Sequence, residues 1–60
     1  MNIQQLANIR AGEVFTLRGY TYRAEADAER WDNGTVYIKA VRQNDAMPSG
    51  WELADVMEWR

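Results

Sequence analysis

From Tyr20 to Val41 apolar and polar residues alternate, break at Asp32-Asn33-Gly34 and alternate again, which is the pattern of a β-hairpin. On the first arm Tyr20, Tyr22, Ala24, Ala26 and Ala28 share one face, and Thr21, Arg23, Glu25, Asp27 and Glu29 share the other. A two-residue Asn33-Gly34 loop would set Glu29 against Ile38 and Ala28 against Lys39, a one-residue slip that puts charge on the apolar side. A three-residue loop, with Gly34 left-handed in a G1 bulge, instead pairs Ala28 with Ile38 and Ala26 with Ala40. It also sets Asp27 across from Lys39. That pair is worth about 0.2 to 1 kcal/mol, so apolar matching decides the register and the charges agree with it.

Upstream, Asn2 is placed to cap a short helix with Gln5 at the reciprocal capping position, putting Ile3 and Leu6 on one face. Gly12 then bends the chain into a strand over residues 13–18. A tight Arg18-Gly19 turn brings Leu17 opposite Tyr20 and Phe15 opposite Tyr22, on the face that already holds the alanines. The third strand, residues 35–42, points Val36, Ile38 and Ala40 inward and Tyr37, Lys39 and Val41 outward beside Trp31. Residues 43–50, which include Asn44, Asp45, Pro48 and Gly50, read as a surface loop.

The last ten residues admit two readings. Ser49 and Glu52 form a second capping box for a helix with Leu53, Val56 and Met57 on one face. Alternatively Met57 and Trp59 alternate with Val56 and Glu58 in a final strand. The helix is the first expectation. The fold class is therefore α+β, a three-stranded antiparallel meander with a short N-terminal helix and a C-terminal helix or strand packed on one face. The alternative is a small SH3-like barrel. Ile3, Leu6, Leu53, Met57 and Trp59 are the side chains available to cover the alanine floor.

Composition narrows the chemistry. Sixty residues make one domain, of a size at which a single core only just offsets chain entropy and leaves no depth for a cleft. The hydrophobic fraction of 47% argues against disorder. With no Cys and no His, disulfides, thiol chemistry and imidazole catalysis are absent, and no metal or cofactor is expected. No apolar run is long enough for a membrane helix and no signal peptide is evident, so the expected location is cytoplasmic. A net charge of -2 gives no general attraction to nucleic acid or anionic membranes.

Glu25, Asp27 and Glu29 form an acidic row spaced by about 6.6 Å on an ideal strand. That spacing resembles the carboxylate pair of an inverting glycosidase, but an open strand face supplies neither a sugar cleft nor a raised pKa. The row is also too sparse to imitate a nucleic-acid backbone by itself, with phosphates about 3.4 Å apart along each strand. Asn33-Gly34-Thr35 fits the glycosylation pattern but is read as the turn, and the EF-hand spacing of acids is missing.

The remaining candidate is a patch of Trp31, Tyr37 and Val41 flanked by Arg23, Arg30, Lys39 and Arg42. Aromatic and arginine side chains typify protein-interface hot spots, and also platforms on which single-stranded bases stack. The nearby acids repel phosphate, which favours a protein partner. The patch disappears if the C-terminal segment folds over Trp31 and Tyr37. The expectation is a stand-alone protein-binding module starting at Met1, of the kind with which phage or mobile elements inhibit a host protein by covering it. A nucleic-acid-binding domain is the second reading and an acidic DNA mimic the third. An exposed edge strand would add the route to a homodimer.

Overall fold

The computed structural model describes residues 1–59. Asn2 opens helix α1, Ile3–Ala7, and the capping box forms: the Asn2 side chain accepts from the Gln5 N–H at 2.9 Å, and the Gln5 side chain accepts from the Asn2 N–H at 2.8 Å. Seven short strands follow, β1 Val14–Leu17, β2 Tyr20–Ala24, β3 Glu29–Arg30, β4 Val36–Ile38, β5 Ala40–Gln43, β6 Trp51–Leu53 and β7 Val56–Glu58. They make two antiparallel sheets, ordered β1-β2-β5-β6 and β3-β4-β7.

The two sheets share strands that continue from one into the other. Val36 faces Glu58, Ile38 faces Val56, Val41 faces Leu53 and Gln43 faces Trp51, so one register runs through β4–β7 and β5–β6 without a slip. Lys39 on one strand and Ala54-Asp55 on the other mark the bend. There the Ala54 N–H donates to the Ala40 carbonyl at 3.0 Å, while the Ala40 N–H donates to the Asp55 carboxylate at 3.0 Å. A side chain thus completes the ladder where the backbone turns away.

Both hairpin turns follow the pattern of the chain. Leu17 faces Tyr20 and Phe15 faces Tyr22, with Arg18 at φ 52 and Gly19 at φ 82, the paired positive angles of a type I′ turn. At the second turn the Trp31 N–H donates to the Thr35 carbonyl, closing a loop of Asp32, Asn33 and Gly34. Gly34 sits at φ 87, the left-handed position of the G1 bulge.

Away from that loop the expected register fails. Glu29 faces Tyr37, as the three-residue loop requires, but Ala24 rather than Ala26 faces Ala40. The β2–β3 arm therefore carries two more residues than its partner, and residues 25–28 leave the sheet to accommodate them. Asp27 does not pair with Lys39; its carboxylate accepts the Ala11 N–H at 2.8 Å, and the Ala28 N–H donates to the Ile9 carbonyl at 2.9 Å. The detour meets the backbone polar groups of the segment after α1. Ala26 is consequently exposed, and the alanine floor is made of Ala24 and Ala40, with Ala28 half-buried and packed against the core beside them.

The C-terminal segment is strand, not helix. Ser49 turns its hydroxyl onto Trp51, donating to the carbonyl at 3.0 Å, so no Ser49–Glu52 capping box forms. A helix this short is marginal by itself, whereas β6 and β7 gain a ladder along the whole of β4 and β5. Leu53, Met57 and Trp59 are exposed and do not cover the core. That role falls to Leu6 and Ile9 from the N-terminal segment and to Val56, which pack with Phe15, Ala24, Val36, Ile38 and Ala40. Because β1 and β6 end the four-stranded sheet without pairing, the barrel does not close, and the expected three-strand meander gains a further bent strand.

Two buried side-chain oxygens lack a hydrogen bond among the described residues; Glu58 Oε1 is met by the Arg18 guanidinium in an ion pair, which leaves the Thr35 hydroxyl. Thr35 is 0% exposed, and its hydroxyl has no hydrogen-bond partner. A buried unpaired hydroxyl costs about 1 to 3 kcal/mol, so the nearly isosteric Thr35→Val is expected to raise the urea midpoint, by about 1 kcal/mol of stability. An unchanged or lower midpoint would mean that the hydroxyl is satisfied.

Candidate protein-binding face

The second hairpin turn places Trp31 and Tyr37 diagonally across β3 and β4, within reach of one another on the outer face of the three-stranded sheet. Their rings stack with centroids 5.9 Å apart and planes 22° from parallel. Trp31 keeps 40% of its surface exposed and Tyr37 is half-buried, so the C-terminal segment does not close over them. It runs beside them instead: Met57 pairs with Tyr37 on the other side and is itself exposed. Glu29 faces Tyr37 from β3.

Asp55 fixes this arrangement from the bend. One carboxylate oxygen accepts the Ala40 N–H and the other accepts the Tyr37 hydroxyl at 2.6 Å. The phenol is held above the ordinary tyrosine value, first by that hydrogen bond, then by partial burial, and then by the charges of Asp55 and Glu29. The face is therefore an aromatic and methionine surface with negative charge beside it.

Of the four basic residues expected to flank the rings, the three arginines lie elsewhere and Lys39 stays on the outer face. Arg23 places its guanidinium 4.7 Å from the centre of the Trp51 ring and reaches Glu25 at 4.0 Å. Arg42 stacks 4.7 Å from the Tyr20 ring and forms an ion pair with Glu52, whose second oxygen accepts from Asn44 at 3.0 Å. The Arg42 hydrogen bond, then that from Asn44, holds the Glu52 carboxyl below its usual range, while Glu52 pushes the Arg42 guanidinium up. Arg30 pairs with Val36 on the face opposite Trp31 and lines a hollow of about 120 Å³ with Ile3 and Gln4. Lys39 is exposed at the bend and follows Tyr37 on the outer face. Val41 shares that parity but is only 7% exposed, between Arg23 and Leu53 in the register, so it has almost no area to offer a partner.

The acidic row is not a row. Glu25 and Asp27 lie in the detour, Asp27 is held by Ala11, and only Glu29 stands on a strand. Among the described residues no cluster of acids has the arrangement of a metal site, and no helix is long and apolar enough to cross a membrane.

Met57, Glu29 and Asp55 belong to the face but were not singled out from the sequence as its members. The strand reading of residues 51–60 is the signal that brings Met57 beside Tyr37; nothing local announces the reach of Asp55 to Ala40. No family model, curated protein or solved structure matches the chain.

Proposed function

We propose that this protein is a small binding module that covers a surface of a larger protein and contributes no chemistry of its own, as an occluding inhibitor does in the cytoplasm. The observation that carries the reading is the stacked Trp31–Tyr37 pair, solvent-facing yet held by Asp55. Rings already fixed in place lose little side-chain entropy on docking and exclude much water, which is how interface hot spots work. Stacking of single-stranded bases would need guanidiniums beside these rings, and Arg23 and Arg42 are committed to other aromatic rings and carboxylates. A homodimer by sheet extension fits the free edge of β1, where Val14-Phe15-Thr16-Leu17 carries no charge to discourage pairing.

The test is capture of a host-cell protein on the immobilised module after nuclease treatment. Trp31→Ala and Tyr37→Ala are expected to weaken capture by roughly 2 kcal/mol or more each, about thirtyfold in affinity, as central hot-spot residues do. Capture that survives both substitutions, in variants that still melt cooperatively, would remove the face from the reading; capture abolished by nuclease would support nucleic-acid binding instead.

A further inference from the structure

We infer that the Trp31–Tyr37–Met57 face takes an arginine- or lysine-bearing segment of its protein partner, a proposal that rests on the reading above and specifies the partner's chemistry. Three observations carry it. First, the apolar part of the face is made of two stacked rings and a methionine, all on one side of the three-stranded sheet. An indole face attracts a guanidinium or ammonium within about 6 Å of its centre, with Trp the best of the rings.

Second, the charge at this surface is negative, and its carboxylates form no ion pair among the described residues. Glu29 and Asp55 both lie against Tyr37, and neither takes part in the ion pairs that tie Arg18 to Glu58, Arg23 to Glu25 and Arg42 to Glu52. Lys39 is the cation on this face among the described residues, one step beyond Tyr37 on the same strand parity. Tyr37 registers both carboxylates, since both help to hold its proton.

Third, the arginines that would have drawn an acidic partner or a phosphate backbone have left. Arg30 lies on the opposite side of the sheet, and Arg23 and Arg42 serve the four-stranded sheet. An acidic segment would meet like charge and find no guanidinium among the described residues, whereas a basic one meets carboxylates and ring faces together.

The probe is a short peptide of alternating arginine and serine, added at low ionic strength to the isotope-labelled full chain. The comparison probes are a glutamate–serine peptide of equal length and a thymidine oligonucleotide. The arginine peptide is expected to shift the Trp31 indole and Met57 methyl resonances saturably, and the other two to leave them in place. Glu29 is exposed and takes part in no ion pair among the described residues, so it can be varied without disturbing the hairpin. Glu29→Gln and then Glu29→Lys should weaken the arginine peptide in steps, reaching roughly three- to tenfold for the reversal, the size expected when an exposed attraction becomes a repulsion. Absence of shifts with the arginine peptide, equal shifts with either acidic probe, or an affinity indifferent to Glu29→Lys would overturn the inference. These failures are distinguishable from failure of the binding-module reading: partner capture that depends on Trp31 and Tyr37 but ignores Glu29→Lys sinks only the charge preference.

Discussion

Ile38→Ala is expected to leave the chain largely unfolded or close to its midpoint at room temperature. Ile38 is 0% exposed, pairs with Val56 across β4–β7, and belongs to the core cluster shared by both sheets and α1. Truncating a buried isoleucine costs about 2 to 5 kcal/mol, because the lost transfer energy is joined by that of the cavity left behind. At about 0.05 to 0.15 kcal/mol per residue, a domain of this size has only roughly 3 to 9 kcal/mol to lose. Urea unfolding followed by far-ultraviolet circular dichroism reads the effect. Leu53→Ala is the control: Leu53 is 80% exposed, and its loss should move the midpoint by no more than about 0.5 kcal/mol. Equal shifts for the two substitutions would mean that the core has been misplaced.

The second large effect is expected at Asp55, despite its position on the surface. Asp55→Ala removes the acceptor for the Ala40 N–H, on a residue 0% exposed, and leaves that amide buried without a partner, at a cost of about 1 to 3 kcal/mol. It also frees the Tyr37 hydroxyl. Asp55→Asn separates the two roles, since an amide oxygen still accepts from Ala40 while the charge is gone. The asparagine variant should recover most of the lost stability. In both variants Tyr37 should ionise at lower pH than in the parent chain, as followed through its labelled ring carbon. The sign follows from the raised phenol: the native chain holds that proton more tightly than the unfolded one. The contribution is fully present below the ordinary value of 10.0 and is lost as the pH rises through the raised one. An unchanged Tyr37 titration in Asp55→Ala would show that the hydrogen bond does not form in solution.

What could be read from the chain, and what could not, divides by the distance over which each feature is determined. The capping box at Asn2 and Gln5, the Arg18-Gly19 turn and the Asp32-Asn33-Gly34 loop are each settled by a few neighbouring residues, and all three form as the pattern requires. The detour of residues 25–28 depends on Ala11 and Ile9, backbone groups sixteen and nineteen residues from their partners Asp27 and Ala28, which no alternation of side chains can reveal. The C-terminal strand likewise depends on β4 and β5 being present to receive it, so its local helical pattern misled. The site divides in the same way. Trp31 and Tyr37 come together through the loop register, but the removal of Arg23 and Arg42 follows from Trp51 and Glu52 arriving on β6. Alternation also made Val41 an outward residue without disclosing that its neighbours would bury it.

The unbroken register through β4–β7 and β5–β6 bears on how the chain reaches this state. Counting each bent pair as one strand, every strand lies beside the one that precedes it in the chain, and the hydrogen bonds that close the three turns leave loops of two, three and five residues. The contact order is therefore low for a β protein, and low contact order goes with fast folding because little loop-closure entropy is spent before contacts form. Each hairpin can zip outward from its own turn. The opposite edges never have to meet to seal the sheet, so the slow, entropically costly closure of a barrel is absent from the route.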